Sequence, residues 1–284
     1  MIPDCKTNFL YLANTLQEKY LTFYERLEKV LNECSIGYDL LPQTKDVWAV
    51  DYMPVQVGEN YFVQFLYDPD YLKPAKWHKT ISDVDSICKS INISPVKSDI
   101  RIDGGNVVKS PHSVIICDKV FRENPGIKEK QLIKDLYALF QVDKIFFVPQ
   151  DPHDFTGHAD GMVRFLNEKT VLINDLSNES PTFQLSFRLA LHNAGLEYIE
   201  IPYCPDMSSN DSAKGLYLNY LQMKDVIIVP TFGIKEDDIA VRQLEDLFDG
   251  FTVRTVDSNE IASQGGVLNC ISWNIKSCKE FIER

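Results

Sequence analysis

Residues 155–165 read FTGHADGMVRF, a stretch that places His158 and Asp160 two positions apart. In an extended segment, residues two apart point to the same face. We therefore expect both side chains to face one space, where an imidazole beside a carboxylate suits proton transfer. Gly157 and Gly161 bracket the pair and permit close approach of backbone or ligand. The same pattern also fits a surface strand with an incidental histidine, so the rest of the chain has to decide.

Around this stretch, the sequence repeats one order of elements, namely a hairpin, a helix and a single strand. The predicted strands are 47–57, 61–66, 113–117, 144–148, 158–165, 170–173, 197–201, 215–220, 226–229 and 251–256, and the predicted helices are 21–34, 81–90, 128–140, 181–194 and 236–247. Residues 208–210, Ser-Ser-Asn, are predicted to form a turn.

Five polar residues mark the repeat: Asp51, Asp103, Asp160, Asn219 and Cys270 are separated by 52, 57, 59 and 51 positions. A period of about fifty residues is typical of propeller-like or repeat arrays. All-β blades do not fit, because each unit here mixes strands with a helix. We therefore predict a single domain over residues 1–284, made of five ββαβ-type units that close around an axis and bring the marker positions together.

The charge, the cysteine content and the N-terminal sequence exclude several kinds of partner and site. The formal charge is −12 and the pI is near 4.9, which argues against nucleic acid and anionic membrane surfaces as partners and permits a cationic substrate. The seven cysteines are odd in number and contain no Cys-x-x-Cys pair, so neither a disulfide framework nor a zinc site is expected. The first residues lack a basic segment followed by an apolar run, so we expect no signal peptide and a cytoplasmic location.

Cys270 is the candidate nucleophile because it follows the flexible pair Gly265-Gly266. A lone cysteine is usually a small buried hydrophobe, but a cysteine beside a histidine can form a reactive thiolate. Carboxylates near such a pair would repel the oxyanion of a protease reaction. They suit a cationic substrate centre such as a guanidinium, whose N–H groups match carboxylates.

Six segments carry a family resemblance. They are VWAVDYMPVQ (47–56), DGGNVV (103–108), CDKVFRENP (117–125), GHADGMVRF (157–165), GLYLNYL (215–221) and GGVLNCISW (265–273). In this order they resemble the guanidino-group-modifying enzymes of the pentein superfamily, closest to the agmatine deiminase and bacterial-type peptidylarginine deiminase family. The resemblance implies a five-unit αβ propeller, the pentein fold, and requires no metal or organic cofactor.

The resemblance also implies roles for five side chains. Cys270 would attack the guanidinium carbon, and His158 would protonate the departing ammonia and then activate water. Asp103 would orient His158, while Asp51 and Asp160 would hold the guanidinium N–H groups. The glycine pairs 104–105 and 265–266 would have a structural role and take no part in the chemistry.

Several positions leave the substrate tail open. Val50 stands where the family usually has Arg, and Asn269 stands where agmatine deiminases commonly have His. The family's tryptophan-containing opening segment is not found, so an open rim is expected. Trp48 is a candidate substrate platform or a core residue, and Arg164, expected on the face of His158 by alternation, is a candidate for substrate binding or a structural ion pair.

The loop residues His153 and Asp154 fit either a cover over the site or a solvated loop. The expected function is hydrolysis of a guanidino group to a ureido group and ammonia through a cysteine-linked amidino intermediate. Agmatine ranks first as the substrate because it has no carboxylate, and protein arginine ranks second. An amidinotransferase and a catalytically silent pentein used for binding stay open, although a silent protein has no physical reason to keep all five side chains. The oligomeric state is left open.

Overall fold

Fifteen strands and ten α-helices occur in the computed structural model, which describes residues 1–205 and 212–277. The strands are β1 Phe9–Ala13, β2 Gly37–Leu41, β3 Val55–Gly58, β4 Tyr61–Leu66, β5 Val96–Arg101, β6 Val108–Lys109, β7 Ser113–Cys117, β8 Lys144–Val148, β9 Val163–Phe165, β10 Thr170–Asn174, β11 Glu197–Ile201, β12 Leu221–Met223, β13 Val226–Thr231, β14 Thr252–Asp257 and β15 Ser272–Ile275. The helices are α1 Asn14–Lys19, α2 Leu21–Glu33, α3 Ala49–Tyr52, α4 Val84–Ser90, α5 Lys119–Glu123, α6 Glu129–Phe140, α7 Pro181–Ala194, α8 Glu236–Leu247, α9 Asn259–Ala262 and α10 Leu268–Ile271. The predicted turn at residues 208–210 lies outside the described residues.

The strands form five sheets of three strands each, in the orders β15-β1-β2, β3-β4-β5, β6-β7-β8, β11-β10-β9 and β12-β13-β14. Each sheet contains an antiparallel pair, such as β6 with β7 or β12 with β13. In β6-β7-β8 and β12-β13-β14 the third strand is parallel to the central one. Helices α5 and α6 lie between β7 and β8 in the chain, and α8 lies between β13 and β14. The last strand, β15, pairs antiparallel with the first, β1. The fivefold repeat of mixed units predicted from the sequence is confirmed.

The chain divides into two compact units, each discontinuous in sequence. Unit 1 comprises Met1–Pro3, Asp51–Lys79 and Pro95–Glu200, and it contains the sheets β3-β4-β5, β6-β7-β8 and β11-β10-β9. Unit 2 comprises Asp4–Val50, Thr80–Ser94 and Ile201–Arg284, and it contains the other two sheets. The single domain over residues 1–284 stays a prediction.

The core of unit 1 shows why its helices form where the sequence predicts them. On α6, Leu132, Leu136 and Phe140 recur every four residues and are fully buried against the sheet β6-β7-β8. On α7, Phe183, Phe187 and Leu191 follow the same spacing and cover β9 and β10. The helices α6 and α7 thus pack on sheets in which polar residues, discussed below, lie just before the N-terminal ends of strands.

Helix α7 begins and ends where its local sequence dictates. The hydroxyl of Ser180 accepts a hydrogen bond from the backbone N–H of Phe183, and Pro181 occupies the first turn. Gly195 ends the helix in a left-handed conformation with φ of 70°. The predicted bounds 181–194 are therefore confirmed.

Two strand predictions are wrong at their beginnings, and the third, at residues 215–220, contains no strand because β12 begins at Leu221. Residues 47–57 contain α3 before β3, residues 158–165 contain a 3-10 turn at Ala159–Gly161 before β9, and residues 215–220 contain a 3-10 turn at Tyr217–Asn219 before β12. A backbone bond from Met162 N–H to the Ala159 carbonyl, at 2.9 Å, closes one of these turns. Such turns span three or four residues, which is too short for a periodic pattern to reveal them.

Across residues 1–205 and 212–277, no helix has the length and apolar character that a bilayer crossing needs.

Candidate active site

The five marker positions share one local structure. Asp51 lies in α3, Asp103 precedes a 3-10 turn at Gly104–Asn106, Asp160 and Asn219 lie in 3-10 turns, and Cys270 lies in α10. Each turn comes shortly before a strand of an antiparallel pair, namely β3, β6, β9, β12 and β15. The repeat therefore places its polar side chains in helical turns at the strand starts and not within the strands.

His158 in unit 1 is held between two carboxylates. Its Nε2 lies 2.8 Å from Asp103 Oδ2 in a hydrogen bond, and its Nδ1 lies 3.4 Å from Asp51 Oδ1. The three residues are 4%, 2% and 8% exposed, for His158, Asp103 and Asp51 respectively. A doubly protonated imidazole can donate to both carboxylates at once, so the geometry suits the imidazolium form.

Gly105 makes this close packing possible. Its backbone N–H donates to Asp51 Oδ1 at 3.1 Å. A Cβ atom at position 105 would lie 2.6 Å from Asp51 Oδ1 and 2.7 Å from His158 Nδ1, distances that real Cβ contacts essentially never show. The glycine is thus required by the close approach of the backbone to Asp51 and His158.

Burial and charge set the protonation of this cluster. Burial lowers the pKa of His158, but the charge of Asp51 and the hydrogen bond that His158 donates to Asp103 outweigh it and raise the pKa to about 9. Burial raises the pKa of Asp51 to about 7, although the charge of His158 opposes this shift. Burial also acts to raise the pKa of Asp103, but the contacts of that carboxylate with His158 and Lys119 hold it below its usual value. Asp103 is therefore the anion that supports His158 at neutral and lower pH.

Two more residues touch the same carboxylate and were not predicted. Lys119 Nζ lies 3.4 Å from Asp103 Oδ2, and the Tyr71 hydroxyl donates to the same oxygen at 3.3 Å. The Tyr71 ring also lies 6.1 Å from the His158 ring, centroid to centroid. Lys119 belongs to the segment CDKVFRENP, so the sequence marked its neighbourhood but gave no sign that an ammonium is buried there.

The loop before His158 is organised by Asp154. Asp154 Oδ1 accepts bonds from the Thr156 backbone N–H at 2.8 Å and the Thr156 hydroxyl at 2.6 Å, and Oδ2 accepts from the His158 N–H at 3.2 Å. The sequence is compatible with this loop being either a cover over the site or a solvated segment. Asp154 instead fixes the backbone that leads to His158, while the His153 side chain is 68% exposed.

Asp160 and Arg164 are both buried in unit 1, at 3% and 4% exposure. The charge of Asp160 contributes to the raised pKa of Asp51, which places the two carboxylates in one electrostatic cluster. The sequence predicts that His158, Asp160 and Arg164 share one face of a strand. Residues 159–161 instead form a 3-10 turn, so the strict alternation of side chains that this prediction assumes is wrong.

In unit 2, Asn219 fixes the backbone at Cys270. The side-chain Oδ1 of this fully buried asparagine accepts bonds from the N–H groups of Asn269 at 3.0 Å and Cys270 at 3.2 Å. A Cβ at Gly266 would lie 2.6 Å from Trp48 Cζ3 and 3.0 Å from Cys270 Cβ, so the indole and the cysteine both pack closely against this glycine. Cys270 itself is partly exposed.

The structure thus brings Asp51, Asp103, His158 and Asp160 together in unit 1, and Trp48 together with Cys270 in unit 2. The convergence of the two sets stays a prediction. In residues 1–205 and 212–277, no group of three His, Cys, Asp or Glu side chains is arranged to hold a metal ion.

Comparison with known proteins decides the family. The family model described as Porphyromonas-type peptidyl-arginine deiminase matches residues 6–275, nearly the whole chain. The chain belongs to this family. A relative from Mycoplasma mycoides named "Putative agmatine deiminase" is 24% identical over 230 residues, which are 69% of this chain and 63% of that protein. The chain's match thus spans about 63% of the length of this curated relative.

Solved structures show the fold. The agmatine deiminase of C. jejuni superimposes with a TM-score of 0.81 at 18% identity, covering 98% of this chain and 96% of that one. DDAH from Pseudomonas aeruginosa gives 0.59 at 12% identity, covering 94% and 99%. The five-unit αβ propeller, or pentein fold, predicted from the sequence is confirmed by these likenesses.

Proposed function

We propose that this member of the Porphyromonas-type family is a guanidine deiminase, a hydrolase that converts a guanidino group to a ureido group and ammonia. The observation that carries the proposal is the buried His158 held between Asp103 and Asp51. An imidazolium kept protonated at neutral pH is a general acid suited to an amino group, which leaves only after protonation to ammonia. Nearby carboxylates suit a planar cation with several N–H donors.

The proposed reaction has two halves. In the first, the Cys270 thiolate attacks the guanidinium carbon, a carbon–nitrogen bond breaks, and His158 gives its proton to the departing ammonia. In the second, neutral His158 takes a proton from water, the resulting hydroxide attacks the amidino carbon, and the thiolate leaves. The oxygen then releases its remaining proton to solvent as the ureido product forms. Asp51 and Asp160 hold the guanidinium N–H groups in both halves, and Asp103 keeps the imidazole in orientation.

Agmatine is the substrate that we propose first. A free amino acid would need an Arg or Lys side chain for its carboxylate. Arg101 is engaged by Asp68, with Nε at 2.9 Å from Oδ2, and Lys119 is engaged by Asp103. Agmatine has no carboxylate and needs no such partner, and the relatives found by sequence carry agmatine deiminase in their names.

Protein arginine is the second candidate, favoured by the description of the matching family, peptidyl-arginine deiminase. An arginine within a peptide also lacks a free carboxylate on its own residue. Steady-state ammonia release from agmatine, free arginine and an arginine peptide separates these substrates. We expect the highest kcat/KM with agmatine.

A tenfold preference for the peptide, about 1.4 kcal/mol of transition-state binding, would replace agmatine with protein arginine. A higher kcat/KM for free arginine than for the other two would contradict both agmatine and protein arginine as the proposed substrate. Transfer of the amidino group to an added amine without ammonia release would identify an amidinotransferase. Absence of turnover with every guanidine would leave a binding protein and refute the deiminase proposal.

A further inference from the structure

We propose that Lys119 is a positioning residue that holds Asp103 against His158 by tying the Asp103 turn to the loop that carries His158. This inference rests on the proposed function for its meaning in catalysis. The argument begins with burial, because Lys119 is 2% exposed although lysine is rarely fully buried without partners. Lys119 is the first residue of α5.

The ammonium of Lys119 meets acceptors from three separate places in unit 1. Nζ lies 3.4 Å from Asp103 Oδ2 and 3.3 Å from Glu123 Oε1, and it donates to the backbone carbonyl of Thr156. The ammonium thus donates hydrogen bonds to Asp103 and Thr156 and forms an ion pair with Glu123, whose Oε1 lies outside hydrogen-bond geometry. One of these acceptors orients His158, and another lies two residues before His158 in the chain.

The aliphatic stem of Lys119 supports the same loop. Gly157 adopts φ of 64°, and a Cβ there would lie 2.9 Å from Lys119 Cδ. The loop is therefore folded closely onto the lysine stem while its Thr156 carbonyl accepts from the lysine head. Lys119 therefore contacts both Asp103 and the loop that leads to His158.

Charge points to the same role. Burial lowers the pKa of Lys119, but the carboxylates of Asp103 and Glu123 outweigh it and raise the pKa above its usual value. A permanent positive charge 3.4 Å from Asp103 favours the anionic carboxylate that His158 Nε2 needs as its partner. Glu123, at the other end of α5, balances the remaining charge of the ammonium.

The test reads the bond between Asp103 and His158 directly. A ring proton on His158 Nε2, buried and bonded to a carboxylate at 2.8 Å, should give a slowly exchanging, downfield proton NMR signal in the full chain. His158→Asn identifies that signal among the five histidines. Lys119→Met and Lys119→Gln remove the charge, and Lys134→Met, at an exposed position on α6, is the control.

We expect the signal to vanish or move upfield in both Lys119 variants and to stay in Lys134→Met. With agmatine, kcat should fall about 10²-fold in Lys119→Met while KM changes by less than about threefold, because orientation and not binding is lost. In an Asp103→Asn background the same change should cost much less, because the residue on which Lys119 acts is already altered.

An unchanged His158 signal in Lys119→Met overturns the inference. Additive losses in the Asp103→Asn background also overturn it, since a merely structural lysine would add its cost. If neither Lys119 variant unfolds cooperatively, the lysine serves the whole fold and the positioning role is wrong. If wild-type protein turns over no guanidine, the proposed function fails, and the NMR signal still decides whether Lys119 positions Asp103.

Discussion

Gly105→Ala places one methyl group between Asp51 and His158. Ordinary van der Waals contact of a Cβ atom begins near 3.4 Å, whereas the added carbon would lie 2.6 Å from Asp51 Oδ1 and 2.7 Å from His158 Nδ1. The two groups would have to withdraw by about 0.8 Å and 0.7 Å. Both are buried, so they have little room to do so.

We expect two consequences of this displacement. A shift of about 1 Å in catalytic groups can cost about 10²-fold, so kcat/KM for ammonia release from agmatine should fall by roughly that factor. Overpacking a tight interior costs typically about 1–3 kcal/mol, so the free energy of unfolding in urea should fall within that range.

The matched control is Gly126→Ala, also in unit 1. An added Cβ at that position meets no atom within 4 Å, so both activity and stability should stay close to wild type. If Gly105→Ala retains activity within about threefold while remaining folded, the close packing of Asp51 and His158 does not matter for turnover. The reasoning from geometry to rate would then be refuted.

Other predictions concern the charged groups. Asp51→Asn and Asp160→Asn should each weaken guanidine binding by about 1.5–3 kcal/mol, because each removes a charge-assisted hydrogen bond. Calorimetry in the Cys270→Ser background measures this affinity without turnover. Unchanged affinity in both variants would place the binding site elsewhere. Because the pKa of His158 is raised from 6.5 to about 9, its contribution to stability is fully present below pH 6.5 and is lost as the pH rises through 9. Urea unfolding should therefore show a loss of up to roughly 3 kcal/mol over this range, at 1.36 kcal/mol per pKa unit, and His158→Asn should lose less, with Asp51 still titrating there. A wild-type loss no larger than that of the variant would contradict the raised pKa of His158. The alkaline limb of kcat/KM should have its midpoint near pH 9 for the same reason.

The sequence predicts well where local signals decide. The bounds of α7 follow from Ser180, Pro181 and Gly195, and those of β8 follow from an apolar run bounded by polar residues. The period of about fifty residues predicts five units, because each unit repeats its own local pattern.

Local patterns fail where partners are distant in sequence. The Gly105 N–H and its acceptor Asp51 are 54 positions apart, and Lys119 lies 37 positions from the Thr156 carbonyl. The segment CDKVFRENP gives no signal that its lysine is buried. Burial of the ammonium requires acceptors, and only the folded chain brings them to it. Similarly, the turn that carries Asp160 is too short to differ from a strand in pattern alone.

The central claim is hydrolysis of a guanidine by attack of Cys270, and it is tested most directly by comparing wild type with Cys270→Ser on agmatine. Both products, ammonia and the ureido compound, are quantified for the two proteins at equal concentration, after cooperative unfolding has shown that both are folded. Wild type should release the two products in equal amounts, and Cys270→Ser should be slower by on the order of 10³-fold or more while still binding agmatine, because a hydroxyl is a far weaker nucleophile than a thiolate. Product formation by Cys270→Ser at the wild-type rate would contradict the account.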